Sequence, residues 1–218
     1  MSKLNRSRCC LPPVWAVVLA AIIFGLLAFQ VVTTGGSSID APIYNAVSKL
    51  ICPALTAVVT VVTHMGGTAV LVAISVVVGI LFWKKWGWKT ALISPVNLLV
   101  ASNFSNKIVK NLVQRPRPAL EQLVAQSGYS FPSGHSLSAM VFYGLIAIIL
   151  FNRLQGKKRW WAAVLLSLLI LLVGFSRIYV GVHYASDVIA GLCEGFVWLG
   201  LLTRIPAVTE IVTGKKKV

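Results

Sequence analysis

Apolar residues run along this chain in long blocks rather than in the short alternations of a soluble domain. Six blocks stand out, at roughly 12–33, 53–82, 88–106, 135–152, 160–176 and 184–203. A helix needs about 20 apolar residues to cross a bilayer. The blocks therefore predict an all-α membrane protein of six transmembrane helices in a single domain over residues 1–218. The second block is long, and His64-Met65-Gly66-Gly67 marks a candidate break within it. The first block follows Lys3, Arg6 and Arg8 and so resembles a signal peptide. It is longer than a usual signal core and no small-residue cleavage site follows it, which predicts a retained helix.

The polar positions are concentrated between the blocks. If the N-terminus is cytoplasmic, one side holds Lys3, Arg6, Arg8, Lys84, Lys85, Lys89, Arg153, Lys157, Lys158, Arg159, Arg204, Lys215, Lys216 and Lys217. The other side holds Lys49, Lys107, Lys110, Arg115, Arg117 and Arg177. Basic residues favour the cytoplasmic side, so both termini are expected on the cytoplasmic side of the membrane. The segments after helix three, before helix four and between helices five and six are expected outside. Arg115-Pro116-Arg117-Pro118 ends any helix that continues past Lys107, because residues before proline avoid the helical region.

Composition agrees with this reading. The chain is 57% hydrophobic and 11% charged, against about 25% charged in ordinary soluble domains. The net charge of +15 would suggest nucleic acid in a soluble protein. Bunched between apolar blocks, these cations serve topology and contact with anionic lipids, and no nucleic-acid partner is expected. Cys9, Cys10, Cys52 and Cys193 have neither the spacing of a metal site nor that of a disulfide framework. The adjacent Cys9 and Cys10 admit acylation at the membrane edge.

Three polar clusters fall on the predicted outer side. Lys110 and Arg117 form the first, Pro132-Ser133-Gly134-His135 the second, and Ser176-Arg177 with His183 and Asp187 the third. His183 and Asp187 are four apart, so a helix stacks them on one face. A carboxylate that holds one imidazole nitrogen leaves the other available as a nucleophile. Ser133 and Gly134 open a helix, where free N–H groups can hold a phosphate oxygen and glycine permits close approach. Lys110, Arg117 and Arg177 can balance the charge of a phosphoryl group. Each part has a plain structural reading as well: a helix cap, a snorkelling lysine, a polar pair at a helix end. Their convergence on one face favours chemistry.

These segments, KNLVQRPRP (110–118), PSGH (132–135) and SRIYVGVHYASD (176–187), resemble the three-part signature of the type 2 phosphatidic acid phosphatase family of membrane lipid phosphatases. The resemblance implies a catalytic site at the extracytoplasmic face. It implies His183 as the nucleophile forming a phosphohistidine, Asp187 as its orienting carboxylate, and His135 as acid and then base. It implies Lys110, Arg117, Ser133, Gly134 and Arg177 as the phosphate clamp, with no metal and no cofactor. Soluble vanadium haloperoxidases share the signature, but the apolar blocks set this chain apart from them. The small size resembles bacterial members acting on undecaprenyl pyrophosphate or phosphatidylglycerophosphate, with a lipid phosphate and membrane lipids as partners. Phosphatidic acid or diacylglycerol pyrophosphate as substrate, a phosphotransferase, and a non-catalytic lipid-binding or transport protein are the alternatives. Lys107 and Arg115 are left as electrostatic helpers. Glu194, on the Asp187 stripe, and His64 are read as structural.

Overall fold

The structure, a computed structural model, describes residues 10–119 and 122–214, and these contain helices but no strand. Expectations for Lys3, Arg6, Arg8, Cys9 and the 215–217 lysines lie outside the described residues. The helices are α1 (Val14–Thr34), α2 (Asp40–Ser48), α3 (Pro53–His64), α4 (Thr68–Trp86), α5 (Trp88–Val100), α6 (Lys107–Val113), α7 (Gly134–Arg153), α8 (Lys157–Tyr179), α9 (Ala185–Leu202) and α10 (Pro206–Thr213). A π-helical segment, Ala101–Asn106, joins α5 to α6, and right-handed dihedrals continue through both junctions. Five helices, α1, α4, α7, α8 and α9, are long and apolar enough to cross a membrane. Residues 88–113 form a composite rod whose two α-helical parts, α5 and α6, are 13 and 7 residues long.

The second apolar block is two helices rather than one. Helix α3 starts with proline at its first turn, where the missing N–H costs nothing. It ends at His64, and Gly66-Gly67 turn the chain into α4. The break makes room: a Cβ on Gly66 would lie 2.4 Å from Val173 and 3.3 Å from the His135 ring.

Helix α7 is the central post. Leu137, Val141, Leu145 and Ile149 repeat every four residues and are fully buried, the spacing of one helical face. Helices α8 and α9 pack against it, α1 lies against α9, and α3 against α8. In lipid, helices associate through close packing of small residues and through hydrogen bonds. Both occur here. A Cβ on Gly191 of α9 would stand 2.4 Å from the Ser133 carbonyl oxygen, so glycine sets that contact. Asn97 of α5 donates to the Val141 carbonyl at 2.8 Å and accepts from Trp198 of α9 at 2.8 Å. Outward faces carry Trp15, Leu26, Phe29, Val77 and Leu165 exposed, as a lipid-facing surface should.

Both ends of the described chain lie at one end of the bundle. The Cys10 backbone N–H donates to the Asn152 side chain at the close of α7 and its carbonyl accepts from it, and Arg153 donates to the Ile211 carbonyl of α10. The opposite end gathers the start of α7, the ends of α3 and α8, the start of α9, and α6.

Candidate active site

At that opposite end a cavity of about 330 Å³ is lined by Lys110, Arg117, Gly134, His135 and His183, with Gly66, Ser138, Gln126 and the 127–129 loop completing the wall. The three clusters, spread over 110–187 in sequence, meet here.

His183 lies in the short turn between α8 and α9 and is almost fully buried. Its Nδ1 faces Asp187 Oδ2 at 3.4 Å and Ser130 Oγ at 3.3 Å. The direct contact is long. Ser130 closes the gap by also donating a short hydrogen bond to Asp187 Oδ2. His183 Nε2 points the other way and meets Arg117 Nη1 at 3.2 Å. With the proton on Nδ1, the Nε2 lone pair is thus turned toward the cation that would hold a ligand. Burial lowers the His183 pKa to about 4, against the raising effect of Asp187, while the charges of Arg117 and Arg177 lower it further. The ring is therefore neutral near pH 7.

Asp187 is held on every side. Its Oδ2 accepts from the Tyr184 N–H at 2.9 Å, capping α9, and its Oδ1 accepts from Arg115 Nη1 at 2.6 Å. Arg115 is 4% exposed and is far more than a helper. It also donates to Ser186 at 2.8 Å and to Asp40 at 2.7 Å, and its guanidinium lies 3.8 Å from the Tyr184 ring centre. Asp40, at the start of α2, accepts in addition from the Ser186 N–H and hydroxyl, each at 2.9 Å. Asp40, and its link through Arg115 to Asp187, escaped the sequence reading, as did Ser130.

Lys110 and Arg117 rest on the loop across the cavity. Lys110 donates to the Tyr129 carbonyl at 2.5 Å. Arg117 donates to the carbonyls of Gly128 at 3.0 Å, Ser127 at 2.9 Å and Val182 at 2.8 Å. Gly128 supplies the left-handed turn, at φ +76°, that points these carbonyls inward.

The remaining expected clamp members sit differently. Ser133 is fully buried and does not reach the cavity. Its hydroxyl accepts from the Ser136 N–H and hydroxyl, and its own N–H donates to the Asp187 carbonyl. Among the described residues the N–H groups of residues 134 and 135 find no partner at this helix start, whereas those of Ser136 and Leu137 do. Arg177 is also set back behind the wall. It donates to Thr63 at 2.6 Å and to Gln126 at 2.9 Å, and only Gln126 lines the cavity. His135 lines the cavity and has no hydrogen-bond partner among the described residues. His64 is exposed at the end of α3 and lies outside the cavity wall. Glu194 is buried and accepts a short hydrogen bond from Ser105 of the π-helical segment, tying α9 to it. Among the described residues no three His, Cys, Asp or Glu side chains converge as metal ligands would.

Comparison with known proteins adds four findings. The family model of the PAP2 superfamily matches residues 91–209. Phosphatidylglycerophosphatase B of Bacillus subtilis is 33% identical over 181 residues, which is 81% of this chain and 87% of that one. A putative undecaprenyl-diphosphatase of Escherichia coli is 27% identical over 53% of this chain and 57% of its own. The crystal structure of the PAP2-type phosphatidylglycerolphosphate phosphatase from Bacillus subtilis superposes with a TM-score of 0.78 at 31% identity, covering 86% of this chain and 94% of that one.

Proposed function

Because the chain belongs to the PAP2 superfamily and is a membrane-embedded lipid phosphate hydrolase, we propose that it removes the terminal phosphate of phosphatidylglycerophosphate or undecaprenyl pyrophosphate through a phosphohistidine on His183. The observation that carries the mechanism is the pairing at His183: Nδ1 held by Ser130 and Asp187, Nε2 facing Arg117 in the cavity. A phosphate bound between Lys110, Arg117 and the N–H groups at the start of α7 meets the Nε2 lone pair. The P–N bond forms as the P–O bond to the lipid breaks. His135, on the same wall, donates a proton to the departing oxygen. It then takes one from the water that attacks the phosphohistidine and releases phosphate. Asp187 supports the imidazolium as it forms. The cations balance the phosphoryl charge, so no divalent metal enters the cycle. Arg177 acts from behind, by positioning Gln126.

The same reading supplies the topology. The composite rod, residues 88–113, is the sixth crossing, both termini are cytoplasmic, and the cavity opens outside. The position of both chain ends opposite the cavity supports an even number of crossings.

The testing experiment combines a substrate panel with rapid-quench trapping. Purified protein is given phosphatidylglycerophosphate, undecaprenyl pyrophosphate, phosphatidic acid or diacylglycerol pyrophosphate, with and without EDTA. Phosphate release that survives EDTA, with acid-labile label lost in His183→Ala, is expected. Abolition by EDTA with rescue by magnesium, or undiminished label in His183→Ala, would overturn the mechanism. Phosphate appearing on an added acceptor lipid rather than in solution would favour the phosphotransferase.

A further inference from the structure

The composite rod presents one graded stripe to the cavity. Leu98 lies at one end, then Ser102 and Asn103, then Lys107, and finally Lys110. The gradient runs from apolar through neutral polar to cationic, the order a lipid would present from tail to terminal phosphate. The π-helical segment carries the middle of this stripe, and such segments often mark functional positions.

Lys107 has no assigned use in that arrangement. A single terminal phosphate is met by Lys110 and Arg117, which also anchor the opposing loop. Lys107 lines the same cavity one turn away toward the apolar end, and has no hydrogen bond or ion pair among the described residues. Residues three apart on a helix lie about 5–6 Å apart at Cβ. Two flexible lysine arms at that spacing can each meet one of two neighbouring phosphoryl groups.

We propose that Lys107, with Asn103 and Ser102, forms a subsite for a second phosphate carried on the leaving group. The enzyme then selects lipids whose terminal phosphate is followed by another, as a diphosphate or across a glycerol bridge, over lipids with a single phosphate. This specificity rests on the lipid-phosphatase reading, but the subsite itself can be measured without turnover. An exposed lysine can also snorkel to surrounding headgroups, so the test separates the two roles.

The first arm measures binding of inorganic phosphate and of pyrophosphate to the full-length protein in detergent, by thermal shift at matched ionic strength. Pyrophosphate is expected to bind about tenfold more tightly than phosphate, a difference of one decade in Kd. Lys107→Gln should remove most of that preference, and Lys107→Arg should keep it. Lys110→Gln should weaken both anions together. Lys49→Gln, just past the end of α2 and outside the cavity, sets the background effect of losing any one charge. A preference in Lys107→Gln no smaller than in Lys49→Gln overturns the subsite.

The second arm compares kcat/KM for phosphatidylglycerophosphate or undecaprenyl pyrophosphate with that for phosphatidic acid. The ratio should fall about tenfold in Lys107→Gln. Equal losses on both substrates, the signature of a headgroup-contacting lysine, or no loss, would refute the proposal. A wild-type protein that releases no phosphate from any lipid would defeat the enzyme reading, and the binding arm would still decide the subsite.

Discussion

Replacing Arg115 by methionine tests how the carboxylate behind His183 is held. Methionine has similar length and no donors. The change deletes the contacts to Asp187 at 2.6 Å, to Ser186 at 2.8 Å and to Asp40 at 2.7 Å. Asp40 and Asp187 are 7% and 0% exposed, so both carboxylates would be left buried without their cation. Removing one partner of a buried pair costs about 3–5 kcal/mol. At about 2–4 °C per kcal/mol for a chain of this length, the melting temperature in detergent should fall by roughly 6–20 °C. Adding Asp40→Asn removes one of the two stranded charges, so the double variant should regain part of the loss, with a coupling of about 0.5–3 kcal/mol. Arg115 does not line the cavity, so kcat should fall while KM changes little. Thermal unfolding and steady-state kinetics on the wild type, both single variants and the double variant provide the cycle. Losses that add to within about 0.5 kcal/mol would refute a coupled Asp40–Arg115–Asp187 unit.

Three further outcomes are expected. His135→Ala should lose roughly 100- to 10,000-fold on a lipid monophosphate, the usual worth of general acid catalysis, and less on a nitrophenyl ester whose leaving group needs no proton; equal losses on both would remove His135 from that role. His183, lowered to about 4, is neutral above that value, so the acid limb of kcat/KM should lie below about pH 5. Single cysteines at positions 122 and 216 in intact cells should react and fail to react, respectively, with an impermeant reagent, and the reverse pattern would invert the topology.

The hydrophobic pattern was enough to find the long helices, because lipid-facing segments must be apolar along their whole length. Lys110, Arg117, His135 and His183 were also legible, since each is an ionisable residue at the edge of such a segment. Asp187 was legible through its four-residue spacing from His183. What could not be read were contacts across the fold. Arg115 meets Asp40 from 75 residues away and Asp187 from 72, and nothing in Arg-Pro-Arg-Pro separates a buried arginine from an exposed one. Ser130 meets Asp187 across 57 residues, with no local pattern to mark it. Ser133 and Arg177 were visible as polar residues at helix ends. Their withdrawal from the cavity depends on Thr63, Gln126 and Ser136, which only the assembled bundle brings alongside. The π-helical segment was disguised because Ser102, Asn103 and Asn106 also suit an ordinary helix end.

The buried charge set has a consequence for how the protein is made. Asp40 leaves the ribosome early, Arg115 midway, and His183 and Asp187 only as the final long helix, α9, begins. Until α9 is made, the nascent chain carries Arg115 with only one of its two carboxylate partners, Asp40. An unpaired ion beside lipid is costly, so the last insertion step is also the one that balances the charges of the first. A chain truncated before Asp187 would expose that imbalance to the quality-control machinery of the membrane, and no partly built intermediate would hold a working nucleophile.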